Sequence, residues 1–399
     1  MPLRLFGKRA SPPAPPQPGQ ASARHDARLG KRGVTGLDLG TTAVKWVQIA
    51  QSKQGPMIAE AGYEPVAGGS PSDMNRHAVV MQAVKRLAGQ KRLSGQVAVA
   101  LPLDAVHLRL IKMPALPEAE LAQAIRWQVE QTLPPQVAYD DLRTDFLVLD
   151  GLGQPTERRL LVISSPLQRI RALTEQLRGA GLTPVAVEID PLAIEACLAV
   201  QRLAPVTETV LLLHLGATRA SFSVLVRGQL AFSRTILSTG ANLTHTVANR
   251  LRVPLAQAEA LKRTHGLLKS AAAPAQMAAP QADAPGEDEG QAVAQALASS
   301  MENLLVDILH AFKGFSHQVT QSQIQRFDRI LVAGGGGKLP GLIEWLQARM
   351  SVPAALVDPF GTIPMADAAA SAQPWPELKA HFAVAMGLAC RDLALRGAG

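Results

Sequence analysis

A chain of 399 residues is too long for one typical core, so two or more domains are expected. Hydrophobic residues at 47% suffice to fill such cores, but aromatics at 4% leave the packing to aliphatic side chains and Ala. The net charge of +8 suggests nucleic acid until its placement is read: residues 1–33 carry +6 of it, and the +2 left for the rest excludes a strongly basic globular domain.

Residues 1–33 form a basic, Pro-rich tail, expected to be disordered and solvated, or else to touch nucleic acid or an anionic membrane face. Its middle, Ser11–Gln20, has no apolar run, which excludes a secretory signal. No run of 18 apolar residues occurs, so no membrane-spanning helix is expected. Cys197 and Cys390 have no CxxC or zinc spacing and read as buried thiols of a reducing cytosol.

Order is expected from Val34. Val34–Leu39 and Val44–Ala50 read as strands joined by Gly40-Thr41-Thr42, a hairpin. Asp73–Gly89 has helical spacing, Val97–Leu101 and Val106–Met113 are strands, and Pro117–Leu133 is an amphipathic helix stopped by Pro134-Pro135. Strands at Thr144–Leu149 and Arg159–Ser164, a helix at Leu167–Ala180, a strand at Pro184–Ile189 and a helix at Pro191–Val200 complete the first half. After Pro205 the pattern restarts. Thr209–Leu215, Ser221–Arg227 and Gln229–Ile236 are strands, and Ala241–Arg252 and Leu255–Leu261 are helices. Leu268–Gly290 is low in complexity and reads as a loop. Gln291–His317 is a long helix, Arg329–Ala333 a strand, and Leu342–Met350 and Leu378–Leu395 are helices.

One internal repeat stands out. Leu37-Asp-Leu-Gly-Thr-Thr overlays Leu213-His-Leu-Gly-Ala-Thr, each between two apolar strands. In the first turn, Gly40, Thr41 and Thr42 offer backbone amides and hydroxyls that suit phosphate, and Lys45 adds a cation. Asp38 suits a water of Mg2+. Taken alone, the same residues fit a plain turn. In the second turn, Gly216, Ala217 and Thr218 repeat the pattern, but His214 stands in the carboxylate position. It reads as a hydrogen-bond donor unsuited to Mg2+, or as a strand-end histidine with no ligand.

Gly334, Gly335, Gly336 and Gly337 follow a strand and precede a helix, which suits close approach to a flat ligand face or a flexible start to the helix. A P-loop would need Gly at Val332 and Ser or Thr at Leu339. A dinucleotide fingerprint would need Gly at Leu339 or Pro340. Both are excluded. Glu259 and Lys262 share a helix face and either contact a ribose or purine or pair on the surface. No hydrolase triad, glycosidase carboxylate pair or H-E-x-x-H is present, and no basic–aromatic platform suits nucleic acid.

This set of motifs resembles the actin-like ATPases, in that family's order: Asp38–Lys45 as first phosphate loop, Glu188–Asp190 at the interdomain connection, His214–Thr218 as second phosphate loop, Gly334–Gly337 as adenosine loop. Within it, Gly36–Lys45, Ile111–Pro117 with Glu120-Leu121, Ile125-Arg126-Trp127 and Glu130–Pro134, then Phe232-Ser233-Arg234, Gly240 and Ala258–Lys262, are similar to the PilM family of type IV pilus assembly proteins. The likeness runs from about Val34 to Arg396.

The resemblance implies an α/β, actin-like ATPase fold of two lobes, each a mixed sheet with helices. Lobe I is expected at 34–93 and 183–206 with a 1C-type subdomain inserted at 94–182. Lobe II is expected at 207–375 with its 268–290 loop, and a closing helix at 376–399 returns to lobe I. ATP and Mg2+ are the implied cofactors, with Asp190 a second cleft carboxylate and Gly240 a nucleotide contact. The implied role is a cytoplasmic scaffold at the inner face of the inner membrane, joining the pilus assembly complex and twitching motility through the N-terminal cytoplasmic peptide of PilN. Arg126, Trp127 and Glu130 are candidates for that peptide, or belong to the core. His214 replaces the family's Asp, which implies ATP binding with weak or no turnover. Homo-oligomers are compatible with the superfamily. The alternatives are a small-molecule kinase of the same superfamily and an FtsA-like cell-division filament protein. The latter usually ends in a membrane-binding helix after a linker, whereas this sequence stops just after Ala383–Leu395. A GspL-type secretion protein would carry a membrane span.

Overall fold

The structure is a computed structural model that describes residues 4–5, 32–53, 55–67, 74–93, 95–149, 152, 156–267, 289–320, 324 and 326–396. In lobe I, strands β1 (Arg4–Leu5), β2 (Arg32–Leu39), β3 (Ala43–Ser52) and β4 (Gly55–Pro65) precede helix α1 (Arg76–Gly89) and strand β5 (Gln96–Leu101). A separate unit follows: β6 (His107–Pro114), α2 (Glu118–Glu130), β7 (Leu142–Val148) and β8 (Glu157–Pro166). Helix α3 (Leu167–Gly179), β9 (Thr183–Ile189) and α4 (Asp190–Val200) lead out of the lobe.

Lobe II holds β10 (Thr209–Leu215), β11 (Ala220–Val226), β12 (Gln229–Ile236), α5 (Gly240–Leu251), α6 (Leu255–His265) and α7 (Glu289–Thr320). It continues through β13 (Arg329–Ala333), α8 (Leu342–Met350) and β14 (Ala354–Leu356); the chain then crosses back to lobe I, where α9 (Asp367–Ala370) and α10 (Trp375–Leu378) lie against β4 and its neighbours, followed by α11 (Ala383–Arg396).

The two large sheets share a five-strand plan. Lobe I runs β4-β3-β2-β5-β9 and lobe II runs β12-β11-β10-β13-β14, each an antiparallel meander continued by two parallel strands. The repeat found between Leu37 and Leu213 is therefore the end of the middle strand of each plan and the turn that follows it. Strand β1 is a sixth member with no counterpart in lobe II; it pairs in parallel with β9, Arg4 opposite Ala186 and Leu5 opposite Val187.

Several sequence expectations need correction. The segment 1–33 was expected to be disordered throughout, but β1 and the start of β2 lie in it; the rest of that segment is outside the described residues. The inserted sheet, β6-β8-β7 covered by α2, occupies 107–166 rather than 94–182, because β5 is a strand of the main sheet and α3 packs between β8 and β9. Strands β4 and β14 were missed. Strand β4 carries Gly55, Pro56, Gly62 and Pro65, which weaken a strand signal. A Cβ at Gly62 would lie 2.0 Å from the Trp46 ring, so that glycine makes room for the indole. Residues 268–288 of the expected loop lie outside the described residues, and α7 starts at Glu289. The expected helix Leu378–Leu395 is α10, a 3-10 turn at Lys379–Phe382 and α11.

Helix α7 is long and apolar enough to cross a membrane by length and composition, although no run of 18 apolar residues flags it, and half of it is buried. Leu297, Met301, Leu304, Ile308, Phe312 and Phe315 are buried in the lobe II core, so it reads as a core helix. Cys197 and Cys390 are both buried and free, and burial pushes the Cys390 thiol up to about 12.

The lobes meet where α4 leaves lobe I and α11 comes back. A Cβ at Gly387 of α11 would lie 1.6 Å from the Ala193 carbonyl of α4, and one at Gly36 of β2 would lie 2.0 Å from the Ala385 carbonyl. With few aromatics available, this junction is built from Ala and Gly at backbone contact. Ala98, Ala193, Leu198, Val210, Leu212, Ala333, Val384 and Leu388 form one cluster across it.

Candidate functional site

The first turn spans the tip of the β2–β3 hairpin. Leu39 pairs with Val44 and Asp38 with Lys45, and the Lys45 Nζ to Asp38 Oδ2 distance is 2.6 Å. A Cβ at Gly40 would lie 2.8 Å from Lys45 Nζ, so only glycine lets the ammonium lie across the turn. Arg76 of α1, missed in the sequence, braces the turn: its Nε donates to the Thr41 carbonyl at 2.6 Å and its Nη2 to Val66 O at 2.7 Å. A lone Arg at a helix start gives no signal of that role.

The second turn has the same register. Leu215 pairs with Ala220 and His214 with Ser221, so Ser221 occupies the place of Lys45. The N-terminus of α5 closes on it, Gly240 N donating to Gly216 O at 2.9 Å and Ala241 N to Ala217 O at 2.7 Å. Behind lies a buried network. Lys262 Nζ donates to Gly240 O (2.9 Å), Thr244 Oγ1 (2.7 Å) and Glu259 Oε2 (2.6 Å), and Arg263 Nε donates to Glu259 Oε1 (2.7 Å). Lys262 is 8% exposed and its three protons have protein acceptors. Burial lowers its pKa against the pull of Glu259; Glu259, which burial alone would raise, is lowered by bonds from Lys262, Thr244 and Arg263. The pair holds α6 against the first turn of α5, with Lys262 enclosed and the Glu259 side chain 34% exposed.

The two turns touch. Thr41 Oγ1 and Thr218 Oγ1 are 3.0 Å apart across the cleft, and Arg219 Nε lies 3.6 Å from Asp104 Oδ2. Asp38 and His214 act on each other electrostatically, and burial pushes His214 down to about 4, so the imidazole is neutral. Asp190 is the first residue of α4 and partly exposed; burial first, then Asp38, push it up to about 7.

The glycines Gly334–Gly337 fold as one 3-10 turn, Gly335–Lys338, at the ends of β10 and β13. Gly334 has φ 88°, and a Cβ there would lie 2.6 Å from Leu215 O and 3.0 Å from His214 Cδ2. A Cβ at Gly336 would meet Leu215 at 2.7 Å. A Cβ at Gly335 would lie 2.6 Å from His381 Nε2. His381 was also missed; it lies against Tyr63 edge-on, and burial, with Lys45, pushes it down to about 4. Gly337 instead faces Leu356 and Val332, a packing position. Asp38, Lys45, Thr41, Thr218, His214, Asp190 and Gly334–Gly336 therefore line or adjoin one cleft, while Glu259 and Lys262 stand behind it.

The cleft residues fit a polyphosphate. Among the described residues, the amides of Thr41, Thr42, Ala217 and Thr218 donate to no backbone carbonyl, and Lys45 lies over one turn. Asp38 has one oxygen on Lys45 and can hold a metal only through water or its other oxygen.

Arg126, Trp127 and Glu130 lie apart, on the outer face of α2. Arg126 pairs with Glu130 at 2.8 Å and stacks over Tyr139, and Trp127 is 62% exposed. The opposite face, Leu121, Ile125 and Val129, is the subdomain core.

A family model described as "Type IV pilus assembly protein PilM" matches residues 36–275, and one described as "Cell division protein FtsA" matches residues 211–383. Among curated proteins, the cell division protein FtsA of Streptococcus pneumoniae is 21% identical over 350 residues, 82% of this chain and 75% of that protein. Among solved structures, the PilM-PilN type IV pilus biogenesis complex superposes with a TM-score of 0.70 at 24% identity, covering 92% of this chain and 99% of that one. The ethanolamine utilization protein EutJ from Carboxydothermus hydrogenoformans matches with a TM-score of 0.48 at 15% identity over 96% of this chain and 92% of its own.

Proposed function

Since the chain belongs to the PilM family of type IV pilus assembly proteins and has the actin-like ATPase fold, we propose that it is the ATP-binding scaffold of a pilus assembly complex. The observation that carries the nucleotide half is the pair of hairpin turns in identical register, joined through Thr41 and Thr218 at 3.0 Å. Bound ATP would bring the charge that Lys45 and the turn amides complement, and Mg2+ would sit on Asp38 through water. Phosphate between the turns takes over the hydroxyls of Thr41 and Thr218, so nucleotide exchanges one interlobe link for another and thereby biases the angle between the lobes. The neutral His214 and Ser221 supply neither a second metal-side carboxylate nor a second cation, which favours holding ATP over hydrolysing it.

The partner half is the cytoplasmic N-terminal peptide of PilN, supported by the complex that this chain superposes on. It would anchor the protein at the inner face of the inner membrane without a span of its own. Calorimetry with ATP–Mg2+ and with that peptide tests both halves. Saturable binding of each with negligible phosphate release is expected. Rapid Mg2+-dependent phosphate release abolished by Asp38→Ala would overturn the weak-turnover reading, and absence of peptide binding with or without ATP would overturn the scaffold. The FtsA model over residues 211–383 favours one second reading, a filament former; sedimentation with ATP distinguishes it by pelleting.

A further inference from the structure

Five strands of lobe I match five of lobe II, and β1 matches nothing. It pairs with two residues of β9, Ala186 and Val187, on the outer edge of that strand. This edge is not an ordinary solvated one. With β1 in place, Ala186, Val187, Glu188 and Ile189 are all buried, so the short strand helps to cover backbone groups that would otherwise face solvent unpaired. Arg391 of α11, its side chain 11% exposed, is ion-paired with Glu188 of β9 at 3.3 Å. Among the described residues no other strand pairs along this edge of β9, which leaves the rest of it as a slot for an extended chain. Strand β9 is seven residues long, and β1 pairs with only two of them.

We propose that β1 is a displaceable strand held in cis, occupying the β9 edge until a longer extended peptide from a partner adds there in its place. This deepens the partner reading above and rests on it. Residues 6–31 separate β1 from β2. At about 3.3 Å each, 26 residues reach at most roughly 85 Å, ample to seat β1 and to let it go. Tethering keeps β1 at an effective concentration of millimolar order, enough to cover the slot with two paired residues. A trans strand pairing along more of β9 makes more ladder bonds and wins. The same short segment shields the slot from non-specific strand addition.

The test compares the full chain with the full chain carrying Arg4→Pro and Leu5→Pro, which removes the ladder amide of β1 whichever of the two residues donates it. Hydrogen exchange at 185–188 is expected to quicken about tenfold in the variant, while β2 and α11 amides stay unchanged. A synthetic Met1–Arg9 peptide added at millimolar concentration restores the protection. The PilN cytoplasmic peptide is expected to bind the variant five- to tenfold more tightly, since the fraction of open slots rises. Equal exchange in both chains overturns the cis strand. Faster exchange with unchanged peptide affinity overturns displacement. If neither chain binds the PilN peptide, the partner reading fails, and the cis strand still stands or falls on the exchange data and on recovery by Met1–Arg9.

Discussion

Thr218 presents a hydroxyl to Thr41 at the one point where the two turns meet. Thr218→Val keeps the shape and removes that bond. Unfolding in urea should show a loss of about 1 kcal/mol without ligand, and calorimetry should show ATP affinity falling about tenfold if, as proposed, the same hydroxyl turns to phosphate. Titrating groups make a second residue-scale test. His214 and His381 have folded pKa values of about 4 against an unfolded value of 6.5. The unfolded chain therefore takes up their protons first, and stability is lost as pH falls from 6.5 toward 4. Asp190 has the opposite sign: its folded pKa of about 7 exceeds the unfolded 3.8, so stability is lost as pH rises through that window. Asp190→Asn should gain about 2 kcal/mol over the wild type at pH 8 and nothing at pH 4 in urea melts, and His214→Asn should flatten the acid limb. The turn residues were legible in the sequence because Asp-x-Gly-Thr-Thr and its repeat sit between apolar strands. Arg76 and His381 were not, since each reaches the cleft from an element whose position only the tertiary fold decides.

At the scale of elements, the junction of β2, α4 and α11 depends on absent side chains. Gly387→Ala places a methyl 1.6 Å from a backbone carbonyl that cannot swing away, so the two helices must part. A loss of about 3 kcal/mol is expected from the shift in the urea midpoint. Ala193→Gly should not rescue it, because the clash is with the main chain. The strands β10, β12 and β13 were legible to the residue: β10 and β13 by their apolar runs, and β12 by the Arg227-Gly228 turn that opens it. Strand β4 was hidden by its glycines and prolines, and β14 by its three-residue length. The extent of the inserted subdomain was misjudged because β5 and β6 are consecutive strands: β5 is nearly continuous in apolar residues and β6 alternates them with His107, Arg109 and Lys112, a difference that was not used to assign them to different sheets. Glu259 and Lys262 were correctly seen to share a helix face, but which way that face looks is a property of the packing of α5 on α6.

For the whole molecule, nucleotide binding is a stability question as well as a functional one. ATP at a hundred times its dissociation constant should add about 2.7 kcal/mol to the unfolding free energy. That appears as a rise in melting temperature for the wild type and as little or none for Lys45→Ala. The matching five-strand sheets put the two turns in corresponding places, and their shared register makes the proposed phosphate clamp one of two equivalent jaws. Equal jaws would accept a linear polyanion either way round. These jaws are unequal: Asp38 and Lys45 lie on one, His214 and Ser221 on the other. The cleft therefore has a polarity, with the Asp38–Lys45 ion pair on the lobe I turn and neutral His214 and Ser221 opposite, where the turn's cation, Arg219, is held toward Asp104, and a ligand charged more heavily at one end meets two different surroundings.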